Sequence, residues 1–273
     1  MKQSKDLIVP EVKLDDIIQF DGVDDYREKF STYCYNSVPV PRVSNILEET
    51  IAKPYLMIWA AKLGPQKFAI EKKNALSVGT FVHEMIENYL TTKTHKNIND
   101  MMVPNYLKTS VNTSYDNFIR WHNQLERNGY SIDSITAIEL PLVCPYYGGT
   151  CDCIMVINGA TYLVDFKTSK KISYEYIIQT IAYVWLINNG FCPTVKHIDG
   201  IGIIRAGKSK PGDFNDLFLN SFIPEQAEMI RQYIIGFFSM LASYYNNINM
   251  RYLYNQYTKV YDFDRTVLKE IEQ

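Results

Sequence analysis

The sequence predicts a single domain of the α/β class, an α+β arrangement in which a central mixed β-sheet is flanked by helices. Three observations predict it. Helical periodicity dominates residues 41–127, three strand-like segments follow between residues 135 and 164, and a helix, two strands and a long helix come after them. Repeated strand–helix–strand units are absent from this order, so the sheet is expected to be mixed. With 47% hydrophobic residues among 273, the chain has ample apolar material for one core.

We divide the predicted domain, residues 1–273, into three parts. A helical N-terminal extension occupies residues 41–74, the core of the domain occupies residues 75–222, and a C-terminal helix and tail occupy residues 223–273. Residues 1–40 show no clear period, and the best strand candidate among them is 30–35.

Five helices are predicted in the N-terminal half from apolar spacing and end signals. Ser44 is expected to cap the first helix, Pro54 stands at a first-turn position, and Gly64 and Gly129 follow helix ends. The predicted helices span residues 44–51, 54–63, 65–73, 78–91 and 115–127.

A β-hairpin is the strongest local signal in the middle of the chain. Asn158-Gly159 is a preferred pair for a two-residue turn, and β-branched and apolar residues flank it on both sides. A strand at 135–144 and a turn at 146–149 precede the hairpin. A helix at 172–188, strands at 195–205 and 217–222, and a helix at 224–246 follow it.

The turn of this hairpin predicts which residues face each other. Asp152 and Asp165 both lie six residues from the turn, so they are expected to be cross-strand neighbours about 5 Å apart at Cβ. Like charges at this distance destabilise a sheet unless a cation lies between them. Lys167 is expected to share the face of Asp165, because strand side chains alternate. The opposite, core-forming face is expected to carry Cys151, Cys153, Val164 and Phe166.

Two carboxylates and an ammonium group on one sheet face suit phosphodiester hydrolysis. The carboxylates can hold a hard divalent cation through oxygen, and Lys167 can orient or polarise the attacking water. The alternative is a surface hairpin in which Asp165 and Lys167 form a weak, solvated pair while Asp152 lies in a loop.

Two helical pairs are candidates for the same site. His83 and Glu87 are four residues apart and share a helix face, and His83 is either a further metal ligand or a histidine at the edge of the core. The segment approximates the zinc-protease motif, but Glu87 stands where that motif needs its second histidine, which argues against a protease. Gln179 and Tyr183 are also four apart, on the helix that follows the Lys167 strand, and both are expected to face the site.

The net charge of −2 gives no overall attraction to nucleic acid, so a site for a polyanion has to be local. Residues 53–73 carry five lysines against one glutamate, and this group is either a solvated face or a contact surface. Two further basic groups are Lys167, Lys170 and Lys171, and Arg205, Lys208 and Lys210.

Residues 202–209 match the P-loop pattern letter for letter. In a P-loop the first glycine ends a strand and a helix begins at the lysine. Here the strand continues past Gly202, and Pro211-Gly212 breaks any helix after Lys208, so we interpret the match as accidental.

The five cysteines lack CxxC spacing, which predicts buried free thiols rather than a disulfide framework, a zinc ribbon or an iron–sulfur cluster. No run of about eighteen apolar residues and no signal-peptide core occurs. We therefore expect an intracellular, cytoplasmic protein that has no membrane partner.

Taken together, residues 41–190 resemble the RecB-like exonucleases of the PD-(D/E)XK nuclease superfamily. Each motif alone is weak, but their order and spacing agree with that family, and the segment at Val43-Ser44-Asn45 is similar to one in the mitochondrial genome-maintenance exonucleases. The matching motifs are Gly79-Thr80-Phe81-Val82-His83, Gly148-Gly149-Thr150-Cys151-Asp152, Asp165-Phe166-Lys167-Thr168-Ser169 and Gln179-Thr180-Ile181-Ala182-Tyr183.

The resemblance implies a PD-(D/E)XK, restriction-endonuclease-like core and a set of site residues. The implied metal ligands for Mg²⁺ or Mn²⁺ are His83, Asp152, Asp165 and the Phe166 carbonyl. The implied catalytic residues are Asp152, Asp165 and Lys167. The implied substrate contacts are Gln179, Tyr183, Ser44, Thr168 and Lys170. Glu139 and Glu87 rank below these. Many relatives ligate an iron–sulfur cluster downstream of the Gln/Tyr helix, but only Cys192 lies there, so we expect none.

The function that the resemblance implies is a metal-dependent DNA nuclease, an exonuclease acting on single-stranded DNA or DNA ends. A helicase motor is not recognisable in the sequence, so a separate helicase or a replication or recombination protein is the expected partner besides DNA. Two alternatives remain open: a catalytically inactive module that binds nucleic-acid ends, and a structure-specific endonuclease on the same fold.

Overall fold

The computed structural model describes residues 33–261. It contains seven strands and six α-helices within this range. The strands are β1 (Tyr33–Tyr35), β2 (Val38–Val40), β3 (Ile132–Val143), β4 (Gly148–Ile157), β5 (Ala160–Lys167), β6 (Gly200–Ala206) and β7 (Phe214–Asn220). The helices are α1 (Val43–Thr50), α2 (Pro54–Leu63), α3 (Pro65–Thr92), α4 (Asn105–Arg127), α5 (Tyr174–Asn188) and α6 (Pro224–Tyr261).

The central sheet has five strands in the order β3-β4-β5-β6-β7. All neighbours are antiparallel except β5 and β6, which are parallel and are connected through α5. The predicted mixed sheet flanked by helices is therefore confirmed. Strands β1 and β2 form a separate two-stranded sheet; of the strand predicted at 30–35, only Tyr33–Tyr35 lies within the described residues.

Both faces of the central sheet are covered by helices, which gives two apolar layers. Helices α1, α5 and α6 cover one face, where Leu163 and Ile203 are fully buried. Helices α3 and α4 cover the other face, where Val164 and Phe166 are buried. The expectation that one face is chemical and the other apolar is therefore wrong, and the polar groups of β5 gather at the end of the strand instead.

The central hairpin has the predicted turn and register. Asn158 and Gly159 both have positive φ, 47° and 77°, as a type I′ turn requires. Ile157 pairs with Ala160, and the ladder continues to the pair Cys153–Val164. Asp152 and Asp165 are the next residues along the two strands, but the ladder ends before them, so the predicted cross-strand pair is not formed in the sheet.

The sequence predicts that both β4 cysteines lie on one face of the sheet; this is right for Cys153 and wrong for Cys151. Cys153 lies in the layer of Val164 and Phe166, but Cys151 belongs to the opposite layer. Strict alternation would keep both on one face, so β4 changes its alternation at Asp152, the residue between them. This irregularity lies at the site described below.

The helices differ from the predicted ones mainly in length. The predicted helices at 65–73 and 78–91 form one helix, α3, because Asn74-Ala75-Leu76-Ser77 contains no helix breaker; the boundary placed at residue 74 therefore falls inside a helix. Helix α4 begins ten residues before the predicted start, and α6 extends to Tyr261. Ser44 is not a cap, because α1 begins at Val43 after Arg42. No helix within residues 33–261 is both long and apolar enough to cross a membrane.

The strands at the far side of the sheet are shifted from the predicted ones. β6 begins at Gly200 rather than at residue 195, because the segment before it bonds to a side chain instead of a neighbouring strand. Asn188 accepts from Ile198 N at 2.8 Å and donates to Ile198 O at 3.1 Å. β7 begins three residues earlier than predicted, and Ser173 caps α5 by accepting from Glu175 N.

The burial of the thiols gives the first testable prediction. Burial raises the pKa of Cys144 to about 11 and that of Cys151 to about 12, and it raises the pKa of Cys153 as well. Because the thiolate is the reactive form, only about one Cys144 side chain in a thousand is reactive at pH 8. Brief alkylation at pH 8 followed by peptide mass spectrometry should modify exposed Cys34 and leave these three unmodified until the protein is unfolded. Equal labelling of Cys34 and Cys151 in the folded protein would contradict this packing.

Candidate active site

The candidate site lies where the β4–β5 ladder stops. Continuing the register beyond Cys153–Val164, the amide of Phe166 would bond to the backbone of Cys151. It instead donates to Asp152 Oδ2 at 2.7 Å. A side-chain carboxylate therefore takes the place of a backbone acceptor, and the two strands separate at this point.

The separation of the strands also leaves the Phe166 carbonyl without a ladder partner on the β4 side. His83 of α3 fills this position, with its Nε2 atom 2.9 Å from Phe166 O. Its Nδ1 atom lies 3.7 Å from Asp152 Oδ2. Buried Val82 and Ile86 fix this stretch of α3 on the sheet, so His83 projects from the edge of the helical layer toward the carboxylates.

Glu139 of β3 completes a row of three acids across three adjacent strands. Ile138 pairs with Cys153 and Leu140 with Cys151, which places Glu139 opposite Asp152. Glu139 has a φ of 48°, uncommon for a residue other than glycine, and the kink interrupts the ladder at this position. Ligand atoms of His83, Glu139 and Asp152 lie within 4.8 Å of one another. Burial and the charge of Asp152 raise the pKa of Glu139.

Asp165 is the most buried acid of the group, with 3% of its surface exposed. Lys167 Nζ lies 2.8 Å from both carboxylate oxygens, but only the contact with Oδ1 has hydrogen-bond geometry. Oδ2 has no hydrogen-bond partner within the described part of the chain. Burial raises the pKa of Asp165 to about 6; the charge of Lys167 opposes this shift, and the charge of Asp152 adds to it.

Lys167 is held in one position by three neighbours. Besides the contact with Asp165, it donates to Gln179 Oε1 at 3.3 Å, and its Nζ atom lies 4.9 Å from the centre of the Tyr176 ring. Burial lowers the pKa of Lys167, but the charges of Asp165 and Asp152 outweigh burial and raise it above the usual value. Lys167 is therefore an ammonium group at neutral pH, which suits a hydrogen-bond donor and not a general base.

Helix α5 positions Gln179 toward Lys167 and Tyr183 behind it. The Gln179 amide donates to Tyr183 Oη at 3.5 Å, but Tyr183 itself is buried. Its ring packs directly on the backbone of Gly149, where a Cβ atom would overlap the ring. Tyr183 therefore supports Gln179 and β4 and does not line an open surface, whereas the sequence predicts that it faces the substrate.

The remaining predicted residues lie at different distances from this group. Thr168 follows Lys167 directly and packs near Gly79 of α3. Glu87 is exposed, and its charge reaches Glu139. Lys170 is exposed on the loop after β5. Ser44 is exposed in the first turn of α1, and no hydrogen bond within residues 33–261 connects it to the acids.

The residues present fit a hard divalent cation such as Mg²⁺ or Mn²⁺. Carboxylate and carbonyl oxygens with one imidazole are suitable donors for both ions. Two adjacent ligands of an octahedral ion with bonds of about 2.1 Å lie about 3 Å apart, and the Nε2–O separation of His83 and Phe166 is close to this value. Asp165 Oδ2, which contacts Lys167 but accepts no hydrogen bond within the described residues, and the two further acids, Asp152 and Glu139, also favour a cation.

Two other features of the sequence and structure lie apart from this chemistry. The P-loop match ends in the loop between antiparallel β6 and β7, so no helix follows Lys208 and the predicted absence of a P-loop is confirmed. A cavity of about 880 Å³ lies at the hairpin-turn end of the sheet between Trp121, Tyr162 and Phe218. It contains none of the acids.

No protein-family model and no curated protein sequence matches the chain. Among solved structures, the crystal structure of SSO0001 is similar over 60% of this chain and 74% of the other, with 14% sequence identity and a TM-score of 0.24. A TM-score this low supports no argument about fold family or function. The chemistry of the site therefore has to follow from its own residues.

The contact between Gly149 and Tyr183 predicts the effect of one methyl group. Gly149→Ala places Cβ against the buried ring, so the free energy of unfolding should fall by about 1–3 kcal/mol. Gly236→Ala is the matched control, because Gly236 lies in α6 with open space where an alanine Cβ would lie, and alanine is the better helix former. Urea unfolding of both variants measures the difference. Equal stability of the two variants would contradict the packing described here.

Proposed function

We propose that the protein is a divalent-metal-dependent deoxyribonuclease with a PD-(D/E)XK core of the RecB-like type. Its reaction is hydrolysis of phosphodiester bonds, with an exonuclease acting on single-stranded DNA or DNA ends as the preferred form. The observation that carries the proposal is the convergence of His83, Glu139 and Asp152 beside an ammonium group that is held by Asp165 and Gln179.

A structural role alone explains this group poorly. Three acids on adjacent strands repel one another, and Asp165 has an oxygen without a hydrogen-bond partner in a buried position. At the buried position of Asp165, a hydrophobic group would be the stabilising choice for a sheet. Clusters of this kind persist where they bind a ligand or perform chemistry.

Each residue then has a definable task. His83, Glu139, Asp152, Asp165 and the Phe166 carbonyl would hold the ion. When bound, a divalent cation offsets the charge of the phosphate and favours hydroxide formation from water. Lys167 is charged and fixed, so it can donate a hydrogen bond to the attacking water or to a phosphate oxygen. Gln179 holds Lys167 in register, and Tyr183 holds Gln179.

The site is an edge and not a deep pocket, which suits a polymer. The side chains of His83, Asp152 and Lys167 are 28%, 15% and 19% exposed, and Glu139 is exposed. A strand can lie across such an edge with its backbone against the acids. The preference for single strands and free ends rests on the resemblance to RecB-like exonucleases.

Cleavage assays test the proposal. Asp152→Asn and Lys167→Met should each lower the cleavage rate at least about 100-fold, because each removes a charge that acts on the reacting phosphate. EDTA should stop cleavage by the wild-type protein, and Mg²⁺ or Mn²⁺ should restore it. Single- and double-stranded oligonucleotides labelled at the 5′ or the 3′ end would be followed on gels, so that exonuclease and endonuclease products are distinguished.

Exposed residues of the same type serve as controls. Asp116→Asn on α4 and Lys196→Met before β6 change the same charges away from the site and should leave the rate unchanged. Cutting by Asp152→Asn at the wild-type rate would refute this site. Metal-independent binding to DNA ends with no product from the wild-type protein would support the inactive end-binding module instead.

A further inference from the structure

The loops that follow β5 and β6 leave the sheet side by side. The two strands are parallel, and Lys167 pairs in register with Arg205. The loop at 168–173 therefore begins beside the loop at 207–213. Ligands of open α/β sheets bind at such an edge, outside the carboxyl ends of neighbouring parallel strands.

Arg205 fastens the two loops together. It is 5% exposed, and its guanidinium donates to the Ser169 carbonyl at 3.2 Å. The same side chain bonds to Asp213 and Asn215 on the far side of the second loop. The buried Arg205 guanidinium thus connects the first loop, the second loop and the start of β7, and Asp213 neutralises its charge.

Asn117 of α4 holds the loop at 207–213 in place through side-chain hydrogen bonds. It is fully buried, and its amide donates to the carbonyls of Gly207 and Lys210 at 2.7 and 2.9 Å. Its oxygen accepts from Gly212 N at 2.7 Å. A loop attached to a helix by a buried amide at three points presents its side chains in a defined direction.

These loops carry four lysines with no counter-charge in contact. Lys170, Lys171, Lys208 and Lys210 form no ion pair within residues 33–261. Lys208 is half-buried, and burial together with Lys170 lowers its pKa against the opposing charge of Glu71. A partly buried ammonium group beside a second cation is unfavourable alone and becomes favourable with an anion.

We propose that the two loops form a binding site for backbone phosphates of the DNA strand, with Lys208 as its main contact. This inference rests on the proposed function, because it places the site directly after Lys167 on the path of the cleaved strand. Four ammonium groups spread over two loops suit successive phosphates along a strand. A nucleoside triphosphate is disfavoured, because no helix N-terminus follows Lys208 and the P-loop cradle is absent.

The salt dependence of DNA binding tests this site. Each phosphate contact on a single strand contributes about 0.7 to the slope of log K against log salt. Fluorescence anisotropy with a labelled single-stranded oligonucleotide in EDTA, over a series of salt concentrations, measures Kd and slope without cleavage. Lys208→Gln should reduce the slope by about 0.7 and raise Kd by about 3- to 10-fold at low salt. Lys208→Arg keeps the charge and should retain the wild-type slope.

The controls separate this inference from the proposed function. Lys196→Gln removes an exposed charge at the opposite end of β6 and should leave the slope and Kd near wild type. If wild-type protein cleaves DNA while Lys208→Gln has an unchanged slope, the phosphate site is wrong and the nuclease proposal stands. If ATP binds and Lys208→Gln abolishes that binding, the loop is a nucleotide site instead. Failure of the wild type to cleave in any metal refutes the nuclease proposal, whatever the slope.

Discussion

The hydrogen bond from the Phe166 amide to the Asp152 carboxylate is the interaction on which the candidate site depends. It ends the ladder between β4 and β5 without leaving the amide unpaired. The same divergence frees the Phe166 carbonyl, to which His83 binds across the gap from α3. A regular ladder at this point would engage both backbone groups, and the imidazole and the acids would have nothing to converge on.

The electrostatics of the site follow from where this divergence lies in the sheet. Because β4 is the middle strand of three, the charge of Asp152 acts on an acid of each neighbouring strand, Glu139 on β3 and Asp165 on β5. The positive charge of Lys167 neutralises only Asp165. Both faces of β5 are packed against other elements. The unbalanced negative charge makes a cation the natural partner of the three acids.

The sequence predicts the two central carboxylates and Lys167 because the Asn158-Gly159 turn sets the register by counting. Glu139 is underestimated for the opposite reason: its register depends on the irregular connection at residues 144–147 and on a residue with positive φ, and neither has a clear sequence signal. The available hint was a charged residue between two apolar ones, Ile138 and Leu140. The Tyr176 ring against Lys167 could have been found from its spacing, three residues before Gln179 on α5.

The acids and the lysines of the loops at 168–173 and 207–213 lie at the same edge of the sheet. Lys167 is paired with Arg205, and the loops that follow β5 and β6 are bonded to each other there. The predicted helices are too short because residues 74–77 and 105–114 contain many polar residues, although neither segment contains a helix breaker. These errors leave the site unaffected, because His83 lies in the strongly periodic part of α3 that packs on the sheet.

The most direct test of the metal site is the binding of Mn²⁺, followed by electron paramagnetic resonance of the free ion without any DNA present. We expect a site in the wild-type protein that Asp152→Asn weakens at least about 10-fold, while Asp116→Asn binds like wild type. Equal affinity of the wild-type and Asp152→Asn proteins for Mn²⁺ would contradict the claim that the acids at the end of the β4–β5 ladder hold a metal ion.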